Sequence, residues 1–296
     1  MKLEKYVLYN DLGIVVNNKS FKDLTTMKVG GKIRNLYYPS SFDNLLITLA
    51  YLKKKRKDFF IIGNGSNIVA SDKKYNKLVI SGKHLIKDIE FNEDYFIVSG
   101  FMDLRVLIIK LVEKQIATLT NLAGIPATIG GAILMNTGAF STNISDNLLW
   151  VKYIENNEVK TKRKDELYFS YRDSEFKNSN RIIIEAAFKI VSDKETLFEY
   201  KNILEKRRNK HPLNYPNSGS IFKNGCNYLA FEIIRKINLA DYPVGGAKFS
   251  DKHANFIVNF DNAKAIDIYK LVMLAKKKAL MFEKIDLKEE IILLNF

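Results

Sequence analysis

Four short polar stretches carry side chains that can do chemistry. Tyr171-Arg172-Asp173-Ser174 offers a guanidinium, which binds a carboxylate as a two-pronged fork. The plainer reading is a surface ion pair between Arg172 and Asp173. Residues 217–224 (NSGSIFKN) hold Ser220 between Gly219 and the apolar pair Ile221-Phe222, where a hydroxyl can pass a proton to a substrate. The alternative is an ordinary serine in a turn. No Gly-x-Ser-x-Gly elbow surrounds it, which argues against a hydrolase nucleophile. Residues 245–255 (GGAKFSDKHAN) bring cations suited to a phosphate, together with His253, which taken alone reads as a structural histidine. Glu289-Glu290 offers a carboxylate that is either catalytic or simply solvated.

Two small-residue loops sit among these clusters. Residues 121–140 (NLAGIPATIGGAILMNTGAF) carry Gly124, Gly130, Gly131 and Gly138, and Gly130-Gly131-Ala132 opens a short helix. Exposed N–H groups at such a start favour an anion, commonly a phosphate. Residues 59–69 (FFIIGNGSNIV) read as a buried strand that stops at Gly63-Asn64-Gly65-Ser66-Asn67 and resumes at Ile68. Together they suggest two walls around one phosphate-bearing ligand. Neither is a P-loop or a Rossmann fingerprint, because the required spacings are absent.

Composition narrows the classes. The 296 residues allow two or three compact units, and an apolar share of 47% supports a substantial core. One cysteine, Cys226, excludes a disulfide framework and a Cys-rich zinc site. Three histidines, His84, His211 and His253, lack metal-ligand spacing, so no metal is expected. Residues 1–10 show no signal peptide, and no apolar run approaches the ~18 residues of a membrane span. A cytoplasmic location is expected. The net charge of +14 fits either nucleic acid or a small polyanion. The runs Lys53-Lys54-Lys55-Arg56 and Lys276-Lys277-Lys278 adjoin apolar helical residues and read as solvated helix faces.

The elements that must position these groups follow from periodicity and punctuation. Residues 1–20 read as irregular. Strands are expected at 25–31, 33–38, 59–62, 78–81, 86–91, 95–99, 182–191, 255–259 and 291–294. A hairpin of 148–154 and 158–163 turns on Asn156-Asn157. Helices are expected from a Ser40 or Ser41 cap through Leu52, and at 103–114, 197–209 and 229–237. A long one covers 261–282, capped by Asp261 or Asn262, and 211–225 reads as a loop. A boundary falls near residue 200, and the alternation argues for an α+β or mixed α/β chain in two parts.

Seven segments, in one order, resemble the UDP-N-acetylenolpyruvoylglucosamine reductase family, flavoenzymes that make UDP-N-acetylmuramate for peptidoglycan. They are residues 25–31, 63–72, 124–139, 171–176, 216–224, 245–259 and 287–291, so the resemblance covers nearly the whole chain. It implies an α+β fold. An FAD-binding domain of the vanillyl-alcohol-oxidase (PCMH) type occupies 1–200, in subdomains of about 1–82 and 83–200. An α+β substrate-binding domain occupies 201–296.

By the same resemblance, non-covalent FAD is held by Gly63, Asn64, Gly65, Ser66, Asn67, Gly124, Ile125, Pro126, Thr128, Gly130, Gly131 and Asn136. NADPH reduces it, and flavin N5 passes hydride to C3 of the enolpyruvyl ether. Arg172 and Glu290 stabilise the charge that develops, and Ser220 protonates C2. Tyr171 lines the site, and Asn224 with Lys223 or Arg208 contacts the UDP diphosphate. The expected partner is a UDP-sugar; nucleic acid binding and membrane insertion are not implied, and the chain is expected to be a monomer. The short span from Arg172 to Ser220 resembles the compact type that lacks an extra tyrosine-bearing loop. Ala127, Ser141, His211 and Gly225 depart from the family pattern, as does Glu290-Ile291 in place of Glu-Val. Two rivals stay open: a carbohydrate oxidase on the same FAD part, and a non-catalytic nucleic-acid binder, which would show no flavin colour and a steep salt dependence.

Overall fold

In the computed structural model, which describes residues 12–296, the Ser41 hydroxyl accepts the Asn44 N–H and starts helix α1 (Phe42–Lys54). Leu45, Leu49 and Leu52 recur on one face and are buried, while residues 53–56 are exposed, as their spacing predicts. Helix α2 (Leu104–Glu113) begins in the same way, with Asp103 accepting the Arg105 N–H. Helices α3 (Ile129–Leu134) and α4 (Thr196–Lys210) follow.

The described residues divide into two units. The first holds residues up to Asn17, Asn35–Asn64 and Lys77–Glu205; the second holds Asn18–Arg34, Gly65–Asn76 and Lys206–Phe296. One crossing, at 205/206, lies near the expected boundary; the others fall at 17/18, 34/35, 64/65 and 76/77.

In the first unit, α1 packs Leu45, Leu49 and Leu52 with Leu78 and Ile80 of the strand Tyr75–Ile80, next to which Phe59–Ile61 runs parallel. A five-stranded antiparallel sheet has the order Glu158–Arg163, Leu148–Glu155, Ile182–Lys189, Tyr95–Ser99, Glu90–Phe91. Asn156 and Asn157, at φ of 55° and 72°, form its two-residue hairpin turn. Leu107 and Leu111 of α2 and Ile129 and Ile133 of α3 share one core with Phe96, Val151 and Phe188 of that sheet.

In the second unit, an antiparallel sheet has the order Asn217–Ser220, Phe256–Asn259, Ala247–Phe249, Pro243–Val244. Helices α5 (Ala230–Lys236) and α6 (Ala265–Lys278) contribute Ile233, Ile234, Leu271 and Val272 to its core, with Phe222 and Phe249. Ile292–Leu294 pairs in parallel with Ile68–Ala70.

Several local expectations fail for tertiary reasons. Residues 25–31 form a loop rather than a strand. Thr25 Oγ1 bonds the carbonyls of Phe21 and Val29, at 3.0 and 3.4 Å, and Lys28 sits at a left-handed φ of 59°. Gly13–Asn17, within the part expected to be irregular, is a strand because it pairs with Ile33–Pro39; residues 1–11 lie outside the described ones. Of 86–91 only Glu90–Phe91 pairs. Asn217–Ser220, expected to be loop, is a strand because Phe256–Asn259 supplies its partner. Helix α6 starts at Ala265, because Asn259 Oδ1 accepts the Ala263 N–H (2.8 Å) and the Asp72 carboxylate accepts those of Ala265 and Ile266 (both 3.1 Å). Its C-terminal end passes into a π-turn, Ala279–Glu283.

Candidate functional site

Helix α3 carries the centre of the first unit's candidate site. Thr128 caps it, accepting the Gly131 N–H at 3.2 Å. The Ile129 N–H donates to Met102 O (2.9 Å) and that of Gly130 to Gly100 O (2.7 Å). The expectation of open N–H groups at this helix start is therefore not met: the groups are satisfied within the protein. Glycine at 130 has a packing reason, since a Cβ there would come within 3.0 Å of Gly100 O. Gly131 differs. It is exposed, and a Cβ would approach only Thr128 Oγ1, so its outer face is bare backbone. Gly124, at a φ of 79°, takes a conformation that side chains resist.

Gly63 lies against the same cap. A Cβ at 63 would stand 2.5 Å from Thr128 Oγ1. Asn64 Nδ2 donates to Asp103 Oδ2 at 2.8 Å. Burial works to raise the Asp103 carboxyl, but hydrogen bonds and charge from Arg105, with the Asn64 bond, outweigh it and hold the carboxyl below its usual range. The Gly63 and Asn64 N–H groups donate to no acceptor among the described residues. Asp103 was missed in the sequence; its only local signal was its position as a helix cap.

Beyond α3, Asn136 is 5% exposed at a φ of 42°. Its Nδ2 donates to Ser170 O (2.8 Å), while its Oδ1 has no partner among the described residues. Ser174 Oγ donates to Leu134 O (2.8 Å). These bonds fix the hairpin of Phe169–Ser170 and Asp173–Ser174 on the end of α3. Tyr171 and Arg172 form its two-residue turn, with Arg172 at a φ of 54°. The guanidinium donates to Gly138 O at 2.7 Å and lies 5.1 Å from the Tyr171 ring centre. Arg172 is thus a positioned cation at a tip, held by a carbonyl and a ring.

In the second unit, Ser220 ends the strand Asn217–Ser220 and follows Gly219, whose φ of 77° lies in the left-handed region. The next residue, Ile221, accepts the Glu290 N–H on its carbonyl at 2.8 Å. Asn67 Nδ2 donates to Glu290 O at 3.0 Å, and its own carbonyl accepts the Ile292 N–H. Asn255 completes the clamp: its amide exchanges two hydrogen bonds with the Phe222 backbone, at 2.8 and 3.0 Å. Ser220 and Glu290, distant in sequence, are thereby brought to adjacent places. The Glu289 carboxylate instead pairs with Lys276 at 2.6 Å. Gly65 and Ser66 also belong to this unit, and their N–H groups donate to no acceptor among the described residues.

The expected diphosphate contacts separate. Arg208 lines a cleft of about 590 Å³ with Lys248, Lys252, Ser250, Tyr215 and His211. Lys223 does not line it; its N–H donates to Lys288 O. Asn224 Oδ1 accepts the Ala230 N–H (2.9 Å) and caps α5. Behind the cleft, His211 and His253 pack on the Phe256 ring, at 5.0 and 4.7 Å. Burial, reinforced by Arg207, pushes the His211 imidazole down to about 4, and burial also lowers His253. Both are neutral at pH 7, so neither adds to the charge of the cleft.

Known proteins supply the remaining evidence. Residues 211–294 match the family described as UDP-N-acetylenolpyruvoylglucosamine reductase, C-terminal domain, and residues 34–159 match the FAD binding domain family. The chain is 33% identical to the UDP-N-acetylenolpyruvoylglucosamine reductase of Chloroherpeton thalassium, over 96% of this chain and 94% of that one. It is 34% identical to that of Caldicellulosiruptor bescii, over 96% and 91%. The crystal structure of the Thermus caldophilus enzyme superposes with a TM-score of 0.80 at 26% identity, covering 95% of this chain and 98% of that one. The fold is accordingly α+β, with an FAD-binding domain followed by the reductase C-terminal domain.

Proposed function

The chain belongs to the UDP-N-acetylenolpyruvoylglucosamine reductase family, and on that premise we propose that NADPH is its reductant, that hydride reaches C3 of the enolpyruvyl ether and that Ser220 delivers the proton to C2. It is an FAD-dependent oxidoreductase that acts on a UDP-sugar in peptidoglycan precursor synthesis. The observation that supports the finer reading is the clamp of Asn67, Ile221 and Asn255, which holds the Glu290 backbone against that of the residue following Ser220.

The first unit's residues fit FAD. Asn136 Oδ1 is a buried acceptor without a partner among the described residues, a state that costs about 1–3 kcal/mol unless a ligand N–H completes it. Gly131 leaves a face on which a flat ring can lie, and Gly63 and Asn64 present undonated N–H groups suited to phosphate oxygens. Gly65, Ser66, Gly124, Ile125, Pro126 and Thr128 are assigned to the same cofactor. When bound, FAD supplies the hydride chemistry between NADPH and the enolpyruvyl carbon.

Ser220 then acts as an acid. A serine hydroxyl is a weak one in water, so it serves only where the receiving carbon is strongly basic and water is excluded. Arg172 is assigned to the negative charge that develops beside the substrate carboxylate, where a pre-positioned cation needs little reorganisation. Glu290 assists the same intermediate; the ion pair between Glu289 and Lys276 supports this choice between the two adjacent glutamates. Tyr171, which stacks on Arg172, lines the site. Arg208 is the favoured cation for the diphosphate, because its cleft also holds Lys248 and Lys252. Lys223 and Asn224 take lesser parts. The functional division is an FAD part of 1–200 and a substrate part of 201–296, acting as a monomer.

The test is an absorbance spectrum of the purified protein before NADPH, after it, and after the enolpyruvyl substrate without oxygen. A flavin band that bleaches and then returns establishes both half-reactions. A band that returns only with oxygen refutes the substrate, and a protein that stays colourless with added FAD refutes the cofactor assignment.

A further inference from the structure

Helix α6 ends by turning apolar side chains outward. Ala279 is the one buried residue of the π-turn Ala279–Glu283, which closes on Lys284 at a left-handed φ of 58°. Leu280, Met281 and Phe282 follow in succession at 55%, 54% and 66% exposure. A regular α-helical turn would direct part of such a triplet inward; the wider turn directs none of it. Met273, 43% exposed, lies two turns earlier on the same face as Leu280.

Cations surround this tip. Lys276, Lys277 and Lys278 precede it, Lys284 and Lys288 follow it, and Arg235 and Lys236 end α5, which packs against the turn. The neighbouring acids are Glu283, Asp286 and Glu289. Each is already paired: with Lys236 at 3.8 Å, with Lys288, and with Lys276 at 2.6 Å. Seven cations against three acids leave a surplus of four. Lys277, Lys278 and Lys284 make no ion pair among the described residues. The Lys284 ammonium folds back onto Met281 O (3.2 Å) and that of Lys278 onto Ile237 O (3.4 Å), so both charges flank the apolar triplet.

We propose that this tip docks on an anionic phospholipid surface, with Leu280, Met281 and Phe282 entering the headgroup layer and the surplus cations binding its anionic groups. Composition favours lipid over a protein partner. Lysine is depleted in protein–protein interfaces, whereas a lysine ring around protruding Leu and Phe is the pattern of surface-bound membrane segments. Flexible lysine stems also follow a soft surface more readily than a fixed one. The attachment is peripheral, since no helix among the described residues is long and apolar enough to cross a membrane. It gives the lysine run a partner where the sequence alone reads as a solvated face, and it does not depend on the proposed chemistry.

Each cation near an anionic surface adds about 1 kcal/mol, or about fivefold in affinity, so four give a preference of about a few hundredfold for anionic over neutral vesicles. The test is co-sedimentation of the full chain, loaded with FAD, with vesicles of phosphatidylcholine alone or mixed with phosphatidylserine. Binding to the mixed vesicles alone is expected. Phe282→Ser and Lys277→Glu should each weaken it by about fivefold or more, while Ile47→Ser, at an exposed apolar position on α1, should leave it unchanged. No binding to the mixed vesicles overturns the proposal. So does binding that Phe282→Ser leaves intact, which would report general attraction of a basic protein. Concentration-dependent self-association abolished by Phe282→Ser would overturn it in favour of a second copy of the chain.

Discussion

Gly63→Ala tests how the cofactor loop is seated. The backbone at 63 is not left-handed, so alanine adds no conformational strain there; the cost is steric. The new Cβ would lie 2.5 Å from Thr128 Oγ1 and 3.1 Å from its Cγ2, well inside ordinary contact. Thr128 must shift, and its hydroxyl then loses the Gly131 N–H that it caps at 3.2 Å. Overpacking of one methyl costs about 1–3 kcal/mol and a lost cap about 1 kcal/mol, so Gly63→Ala should destabilise by about 2–4 kcal/mol. The partner variant isolates the cause. Thr128→Ala alone should cost about 1 kcal/mol for the cap, and in its background Gly63→Ala should cost less than about 0.5 kcal/mol, because both clashing atoms are gone. Urea unfolding of the four proteins measures a coupling expected near 2 kcal/mol. FAD binding, followed by flavin fluorescence, should weaken about tenfold in Gly63→Ala. Additive losses in the cycle would refute the contact, and unchanged FAD affinity despite lost stability would remove the loop from the cofactor site.

Other variants examine the rest of the assignment. Ser220→Ala should leave bleaching of the flavin by NADPH near wild type while slowing turnover of the enolpyruvyl substrate by about a thousandfold; turnover at the wild-type rate would cancel the proton-donor role. Arg172→Ala should slow reoxidation of the reduced flavin by substrate, and stopped-flow absorbance with an unchanged rate would take it out of the catalytic set. Asp72→Ala deprives Ala265 and Ile266 of their acceptor and should cost about 1–2 kcal/mol in unfolding experiments; Asp72→Asn should recover most of it, and equal losses in both would refute the cap. His211 titrates near 4 in the fold against 6.5 unperturbed, so the fold favours its neutral form. Its stabilisation is complete above pH 6.5 and falls away as the pH drops toward 4, by about 1–2 kcal/mol after allowing for its partial exposure. His211→Phe should flatten that decline in denaturant midpoints; an unaltered slope would assign it to other groups.

Features that depend on neighbours within a few residues are readable from the amino-acid order. The serine cap of α1, the apolar spacing of α1 and α2 and the Asn156-Asn157 turn are legible because each rests on contacts about four residues apart or fewer. The ordered motifs pointed to the family for a related reason: each is a short run of local sequence, and five of the seven hold glycines. Which distant segments pair within each unit is set by the folded chain. The start of α6 depends on Asp72, the strand Asn217–Ser220 on Phe256–Asn259, and the adjacency of Ser220 and Glu290 on Asn67 and Asn255. The N–H groups of Gly130 and Gly131, which looked open to an anion, are closed by Gly100 and Thr128. A backbone donor takes whichever acceptor the folded chain brings within about 3 Å. Local sequence sets which groups need a partner, and only the packed chain sets which partner each one finds.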